Sequence, residues 1–243
     1  MTTSPTAPPA VRPRRVVTDR RGGRSAPPYD SFNLGGHVGD ERAAVEANRA
    51  RVARELAMPA DRLVWMSQVH GTGVAVVDRP QPGPVPDVDA LVTATPGLVL
   101  CVLVADCVPV LLADPVAGVV AAVHAGREGF RQGVVPAALS AMASLGARAR
   151  QVSALLGPAV CGACYEVPER MQAEVARVAP SAAVRTRTGT AGLDLRAGIE
   201  EVLRKAGIPE VVHDPRCTVE DPRLFSHRRD GVTGRQAGLV WLG

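Results

Sequence analysis

Three residues that commonly bind transition metals stand at the ends of apolar, strand-like runs. His70 ends the run LVWMSQVH, Cys107 ends LVLCVLVADC, and His124 follows GVVAAV. Two imidazoles and one thiolate suit zinc, and they also suit copper; a set of three protein ligands leaves a fourth position open, as in catalytic zinc sites. Because the three residues lie far apart along the chain, folding must bring them together.

A predicted β-hairpin connects the second and third of these residues. Two β-branched stretches flank a turn at Asp114, which is followed by a proline. If Ala113 faces Gly118 across the turn, the same register places Cys107 opposite His124. Such partners have Cβ atoms roughly 4.5–5.5 Å apart on one face of a sheet. The pair would then share a metal, whereas a slip of one residue would separate it.

The same residues also have a purely structural interpretation, in which a buried free cysteine packs beside satisfied core histidines. Pro109 weakens the hairpin prediction, because proline lacks the N–H of the ladder and favours an edge or a bulge. The joint occurrence of all three residues favours metal binding.

Composition sets broad limits on function. The chain has 243 residues, of which 46% are hydrophobic and only 3% aromatic, and its net charge is +4. This length is enough to bury a sizeable core. The mild positive charge permits small anions such as phosphate. With so few aromatics and no basic stretch interleaved with them, the sequence predicts no nucleic-acid surface.

The cysteines and the first residues bear on location. The Pro-rich residues 1–14 lack the apolar segment of a secretory signal, so we predict a disordered tail there and one catalytic domain over 15–243. Five cysteines in such a chain predict reduced thiols in the cytoplasm.

Asp106 and Pro109 interrupt the apolar runs, which argues against a membrane span. Cys161 and Cys164 form a CxxC without a second CxxC; packing near a turn is the favoured reading, with a redox role left open.

Hydrophobic periodicity predicts intermixed strands and helices with recurring hairpins, and therefore an α+β fold in a single domain. The predicted strands are 16–18, 63–70, 74–77, 90–93, 98–105, 108–113, 119–124, 210–213 and 237–242. The predicted helices begin at Asp40, which provides an N-cap, and then cover about 131–145, 168–178 with proline at its first position, and 194–206.

Arg49 lies on the apolar face of the first predicted helix, together with Val45, Val52 and Leu56. A guanidinium on such a face either extends to solvent or needs a partner. We leave both readings open: a solvated side chain, or a guanidinium that points into a pocket and binds an anion.

A series of motifs between Gly22 and Leu242 resembles the laccase-domain family. This family is also called YfiH-like, and its members are known as polyphenol oxidases or multifunctional purine nucleoside phosphorylases. The motifs occur in the order GGRS, SFNLGGHVGD, ANR, QVHGTGV, DALVT, ADCVPVLLAD, VHAG, LGPAVCGACYEV and LFSHRRDGVTGRQAGLVWL.

The resemblance implies a single α+β domain of layered mixed sheets flanked by helices. It implies a zinc site at His70, Cys107 and His124, with Arg49 as a residue that contacts substrate or phosphate. It further implies phosphorolysis of adenosine, inosine and 5′-methylthioadenosine, together with adenosine deamination, so the partners would be purine nucleosides and phosphate. The sequence predicts no membrane partner and leaves a homodimer open.

Three residues in two motifs depart from the family pattern. The family commonly reads HAGWRG, whereas this chain has Arg127 and Glu128 in HAGREG, so an aromatic that would pack over a base is missing. His227 stands where a tyrosine is frequent. We expect these changes to affect substrate preference rather than the metal ligands.

Other groups are candidates for proton transfer and anion binding. Deamination needs a carboxylate that is not a ligand; Asp87 and Asp89 are candidates that alternatively serve a turn. Asp106 is a weaker one, because a regular strand would point it away from the face of Cys107. For phosphate, the basic candidates are Arg228, Arg229 and Arg235, which alternatively form surface ion pairs with Asp221 or Asp230.

Two further functions stay open. The family has been linked to editing of cell-wall precursors, in which Cys107 would be a hydrolytic nucleophile with His37 as its base. Copper-dependent oxidation of phenols is the other, since Cu²⁺ would suit the same ligands as Zn²⁺, although no methionine is obviously placed as an axial ligand.

Overall fold

The computed structural model describes residues 12–243. Residues 1–11, which make up most of the predicted tail, lie outside the described residues. Pro13 and Arg14, which the sequence analysis assigned to the tail, are instead the first two residues of a strand. In the described part of the chain, no helix combines the length and the apolar character needed to cross a membrane.

The elements alternate irregularly along the chain. The strands are β1 Pro13–Val17, β2 Leu63–Val64, β3 Val74–Val76, β4 Ala90–Thr93, β5 Val99–Val104, β6 Val108–Asp114, β7 Val119–Ala125, β8 Ser153–Leu156, β9 Ala183–Arg185, β10 Ala191–Leu193, β11 Glu210–His213 and β12 Gln236–Leu242. The helices are α1 Arg42–Glu55, α2 Arg127–Gln132, α3 Val134–Ser144, α4 Glu169–Ala176, α5 Leu195–Lys205 and α6 His227–Asp230.

Two mixed sheets form the centre of the molecule. One has four strands in the order β1-β12-β5-β2, the other has six in the order β11-β8-β6-β7-β4-β3, and β9 and β10 form a separate pair. Parallel pairs such as β3 with β4 stand beside antiparallel pairs such as β6 with β7. The predicted α+β fold of layered mixed sheets in a single domain is confirmed.

Alternation of side chains along the strands explains the layers. Alternate residues of the central strands face the other sheet, and the inter-sheet core includes Leu100, Val102, Leu111, Ala113, Val120, Ala122 and Val240. The remaining residues of the six-stranded sheet pack against helices, with Val110, Leu112, Ala121, Val123, Val134, Ala138 and Ile199 in that core. On the outer face of the four-stranded sheet, α1 contributes Val52 and Ala53.

The hairpin of β6 and β7 forms, but in a register two residues away from the predicted one. Asp114 pairs with Val119, and Pro109 rather than Cys107 pairs with His124. The turn keeps the predicted length of four residues but lies one residue later, at 115–118. Asp114 Oδ1 stabilises it there by accepting hydrogen bonds from the backbone N–H groups of Val116 and Ala117, both at 2.9 Å. A shift of two residues keeps the face of each side chain, so Cys107 and His124 still approach one another.

Pro109 lies in a central strand, not at an edge. Its carbonyl accepts a hydrogen bond from Gly157 N at 2.9 Å, on the side away from β7. Because N–H and C=O of one strand residue point to the same side, the absent N–H removes no bond from the β6–β7 ladder. The backbone N–H of His124, which lies opposite Pro109, donates to Asp89 O at 2.7 Å and so does not need an acceptor in β6.

Other predicted elements differ in extent. The strand predicted over 63–70 is only β2, and the helix predicted over 131–145 is two helices, α2 and α3, separated by Gly133 at φ 101°. Asp40 is not the N-cap of α1, which is Glu41, whereas Asp194 does cap α5 through a bond from Ala197 N. The sequence analysis missed the short elements β8, β9, β10 and α6.

Asn48 of α1 holds the long loop that precedes this helix. Its side chain is only 1% exposed. The amide nitrogen donates to Ser25 Oγ, Ser31 O and Asn33 O at 2.9–3.1 Å, and the amide oxygen accepts from Arg24 N at 2.9 Å. This loop continues to His37, which reaches the cavity described below.

We predict that Asn48→Ala lowers the free energy of unfolding by about 1–3 kcal/mol, because buried backbone groups lose their partners. Equilibrium urea denaturation measures this change. The control is Arg42→Ala on the same helix, whose side chain is 92% exposed and whose loss we expect to stay within about 0.5 kcal/mol. Equal effects of the two substitutions would contradict the role of Asn48.

Candidate metal centre and adjoining cavity

The structure brings His70, Cys107 and His124 together. One ligand atom from each lies within 4.8 Å of the others. Cys107 Sγ is 3.8 Å from His70 Nε2, and the two imidazole rings meet edge to face with centroids 4.7 Å apart. Tetrahedral zinc would separate a sulfur and a nitrogen ligand by about 3.5 Å, given its usual bond lengths. The three residues therefore fit a zinc ion with little movement.

Asp89 fixes both histidines. Its carboxylate is fully buried and accepts a hydrogen bond from His124 Nδ1 at 2.7 Å, which leaves His124 Nε2 for a metal. The same carboxylate accepts from the backbone N–H groups of His70 at 2.9 Å and Gly71 at 2.7 Å. These bonds hold His70 in the left-handed conformation, at φ 59°.

The charges of this group favour a thiolate. Burial raises the pKa of Cys107, but the neighbouring His124 and His70 outweigh burial and lower that pKa below its ordinary value. Burial lowers the pKa of His124, but the neighbouring Cys107 sulfur and Asp89 carboxylate outweigh burial and raise that pKa above its ordinary value. For Asp89, burial raises the pKa, and hydrogen bonds from His124 and Gly71 bring it below the usual range. A thiolate is the form that binds metals.

Gly126 allows the ligands to approach. A Cβ atom built on Gly126 would lie 2.7 Å from His70 Cδ2 and 3.1 Å from Cys107 Sγ. One on Gly129 would lie 2.7 Å from Gly71 O. The two glycines of the HAGREG segment therefore let the start of α2 pack directly on the loop of His70.

The three ligands lie in the wall of a cavity of about 630 Å³, a volume typical of small-molecule sites. Its wall combines apolar side chains, imidazoles and guanidinium groups. The lining residues are His37, Gln68, His70, Leu103, Val104, Ala105, Asp106, Cys107, His124, Arg127, Val160, Tyr165, Leu195, His227, Arg228 and Arg235.

Of the three C-terminal arginines, two reach this cavity. Arg228 lies over the ring of Tyr165 at 4.8 Å, and Arg235 donates to the carbonyls of Thr233 and Gly234 at 3.0 and 2.9 Å. Within residues 12–243 neither one forms an ion pair with a carboxylate. Burial lowers the pKa of Arg235.

Arg229 forms a surface ion pair, the alternative to phosphate binding that the sequence left open. It binds Asp230 at 2.7 Å and also donates to the carbonyls of Thr218 and Leu224. It therefore stabilises the C-terminal loop and does not line the cavity.

Arg49 is not among the residues that line the cavity. Its guanidinium stacks over Trp65 at 4.2 Å and donates from Nε to Leu34 O at 3.0 Å. It is half-buried and its contacts are with Trp65 and Leu34, so a direct contact with substrate stays a prediction.

The three aspartates named as candidates for proton transfer differ in their contacts. Asp89 orients the ligands, and Asp87 occupies a turn at φ 54°. The prediction that Asp106 points away from Cys107 is wrong, because residues 105–107 lie between β5 and β6 and Asp106 has φ 84°. Asp106 lines the cavity, but its oxygens already accept from Thr218 Oγ1 at 2.6 Å and Arg228 N at 2.7 Å.

His37 and Tyr165 complete the cavity. Burial lowers the pKa of His37, and the cationic groups Arg235 and Arg49 lower it further, so its imidazole is available as a base. The sequence analysis named His37 only for the alternative reaction and missed Tyr165. The position of this aromatic beside the CxxC motif was the one available signal.

Of the three residues that depart from the family pattern, Arg127 and His227 line this cavity. Arg127 is the first residue of α2 and pairs with Glu128 at 3.2 Å. His227 donates from Nδ1 to Gly231 O at 2.7 Å. Both therefore alter the lining of the cavity and leave the three candidate metal ligands in place.

Comparisons with known proteins agree with this architecture. A family profile described as multi-copper polyphenol oxidoreductase laccase matches residues 14–243. A Mycobacterium tuberculosis protein named purine nucleoside phosphorylase is 59% identical over 233 residues, which cover 96% of this chain and 93% of that protein. A Streptomyces coelicolor protein of the same name is 58% identical over 226 residues, with 93% of each chain covered.

Solved structures show the same fold. YlmD from Geobacillus stearothermophilus superposes with a TM-score of 0.90 at 34% identity, covering 97% of this chain and 94% of that one. The hypothetical protein YfiH from Bacillus licheniformis gives 0.89 at 30% identity, with 95% and 93% covered. The resemblance inferred from the motifs is thus confirmed, and the chain belongs to the multi-copper polyphenol oxidoreductase laccase family.

Proposed function

We propose that this chain is a zinc-dependent purine nucleoside phosphorylase. It would convert adenosine, inosine or 5′-methylthioadenosine and phosphate into the base and the ribose 1-phosphate, and it would also deaminate adenosine at the same site. The observation that carries the proposal is one cavity that combines a three-ligand metal set with the guanidinium groups of Arg228 and Arg235. The names of the relatives from Mycobacterium tuberculosis and Streptomyces coelicolor support it.

The arginines provide the phosphate site in this proposal. Guanidinium groups bind phosphate oxygens bidentately, and their positive charge favours the anion most where water is partly excluded. Arg228 retains free donors because its side chain only stacks on Tyr165. Arg235 uses one nitrogen for backbone carbonyls and has others to offer.

The nucleoside would occupy the apolar part of the cavity. Leu103, Val160 and Leu195 line it beside Tyr165, and an aromatic face suits a purine ring. His37 is placed to accept or return a proton during departure of the base. Arg49 would act through the loop it holds at Leu34, which leads to His37.

The metal set forms the other wall. Bound by His70, Cys107 and His124, zinc would supply Lewis acidity and a lowered pKa of water. The residues of the chain hold the geometry that this chemistry requires, since Asp89 orients His124 and positions His70. The reducing cytoplasm is our proposed location, because there the Cys107 thiol stays available as a ligand.

Two alternatives retain some support. Because His37 and Cys107 line one cavity, a hydrolytic cysteine site acting on peptide-bearing cell-wall precursors stays open. Copper-dependent oxidation of phenols is supported by the family description, but no methionine lines the cavity in the described part of the chain.

Incubation of the zinc-loaded protein with adenosine, with and without phosphate, separates these reactions. We expect adenine and ribose 1-phosphate only when phosphate is present, and inosine in both samples. Chromatography of the products measures each one. If the protein with zinc fully loaded gave neither the phosphorolysis products nor inosine, the proposal would be rejected.

Cys107→Ser should remove one zinc per chain and abolish turnover, because a hydroxyl is a poor ligand for zinc at neutral pH. The matched control is Cys101→Ala, a buried cysteine of β5 on the outer face of the four-stranded sheet, which should keep both. Zinc analysis and the adenosine assay together test this prediction, and full turnover by Cys107→Ser would contradict it.

Asp89→Asn should weaken zinc binding by about 10–100-fold, the usual effect of losing a group that orients a metal-binding histidine. Competition with a chelator of known affinity measures the change. An unchanged affinity in a folded variant would show that Asp89 does not orient His124 toward a metal.

Arg228→Ala should raise the KM for phosphate by about 10-fold or more, since a hydrogen bond to a charged group contributes about 1.5–3 kcal/mol. Steady-state kinetics at saturating nucleoside measure it. Arg170→Ala provides the control, because this arginine of α4 is 92% exposed and pairs only with Glu174. Identical phosphate KM values for the two variants would remove Arg228 from the site.

A further inference from the structure

A second group of metal-binding side chains lies outside the cavity lining. Cys161, Cys164, Cys217 and Glu220 each offer one ligand atom, and these four atoms lie within 4.8 Å of one another. We propose that they form a second, structural zinc site of three thiolates and one carboxylate. This site would fasten together the two loops that support one wall of the cavity.

The four residues come from two turns of the same kind. Cys164 N and Tyr165 N donate to Cys161 O, both at 3.0 Å; Glu220 N and Asp221 N donate to Cys217 O at 3.2 and 2.8 Å. Each turn therefore presents its first and fourth side chains together, as C-x-x-C and C-x-x-E. Such paired turns are a common source of ligands for structural zinc. The sequence analysis sought a second C-x-x-C and so did not consider Glu220.

Contacts between the turns bring the ligands into one group. The backbone N–H of Cys161 points at Cys217 Sγ, at 3.4 Å, and would stabilise a thiolate there. Cys164 Sγ lies 3.6 Å from Glu220 Oε1. Tetrahedral zinc places a sulfur and a carboxylate oxygen about 3.5 Å apart, so the distance between Cys164 Sγ and Glu220 Oε1 suits a shared metal.

The surrounding charge also fits a cation with four anionic ligands. Three thiolates, one carboxylate and Zn²⁺ together carry two negative charges. Arg187 pairs with the carboxylate of Glu220 and offsets part of that charge. Thiolate ligands favour zinc over hard cations such as magnesium.

The group is connected to the cavity through its backbone. Val160 and Tyr165, which flank the first turn, line the cavity. In the second turn, Thr218 donates from Oγ1 to Asp106 at 2.6 Å and from its backbone N–H to Ala159 O at 3.2 Å. Because Asp106 precedes Cys107, a metal at the second site would stabilise the wall next to the first site without contacting substrate.

Zinc content per chain tests the proposal. We expect two zinc ions in the wild-type chain after removal of loosely bound metal, one in Cys107→Ser, one in the double variant Cys161→Ser with Cys164→Ser, and none when all three substitutions are combined. Cys101→Ala is the control and should keep both. If the first site held no zinc, the wild type and Cys107→Ser would both contain one ion, whereas failure of the second site would leave Cys107→Ser with none. The two failures are therefore distinguishable.

A measurement on chains with intact second-site cysteines avoids reliance on folding of the double variant. In Cys107→Ser, a chelator should lower the Tm and expose Cys164 to alkylation, and added zinc should reverse both effects. Cobalt in place of zinc should give the strong thiolate-to-metal absorption of a site with three thiolates. A Cys107→Ser chain without zinc, or a disulfide between any two of the three cysteines in protein purified under reducing conditions, would overturn the proposal.

Discussion

The buried carboxylate of Asp89 is the constraint on which the geometry of the cavity depends. It accepts hydrogen bonds from His124 Nδ1 and from the backbone of His70 and Gly71. These bonds couple a side chain of β7 to a loop that follows β2. A carboxylate in a site with no exposure is stable only with such partners, so the histidines and Asp89 stabilise one another. The same contacts leave the ligand nitrogens directed toward Cys107.

The two central sheets supply the rigid frame for this group. Side chains on one face of β6 and β7 fill the inter-sheet core, and Cys107 and His124 continue that face beyond its apolar part. The cavity opens where the apolar packing ends. Arg228 of α6, Arg235 and Arg127 at the start of α2 then line it, so the candidate metal ligands and guanidinium groups meet at one end of the sheet pair.

Chemistry and periodicity predicted much of this arrangement. The proximity of the three candidate ligands followed from residue type and strand parity, and parity survived although the hairpin register was wrong by two residues. The predicted register failed because the turn lies one residue later along the chain, where Asp114 accepts hydrogen bonds from two of its backbone N–H groups. The place of Arg49 was not predictable, since its partner Leu34 belongs to a long loop without periodicity and Trp65 to a predicted strand that forms only at residues 63–64.

Loops explain the remaining differences. Asp106 and His70 adopt positive φ values that no sequence pattern indicates, and these conformations determine which side chains enter the cavity. The group of Cys161 and Cys217 depends on two turns that are distant along the chain and that meet at an isolated β-bridge between Ala159 and Cys217. Helix and strand periodicity contain no information on such contacts.

The central claim is that His70, Cys107 and His124 hold one zinc ion beside an anion site at Arg228 and Arg235. A crystal structure of the zinc-loaded protein with phosphate, with anomalous data collected at the zinc edge, tests it most directly. We predict an anomalous peak bonded to His70 Nε2, Cys107 Sγ and His124 Nε2, with a phosphate on the two guanidinium groups. A fully loaded protein with no peak at these three atoms would contradict the account.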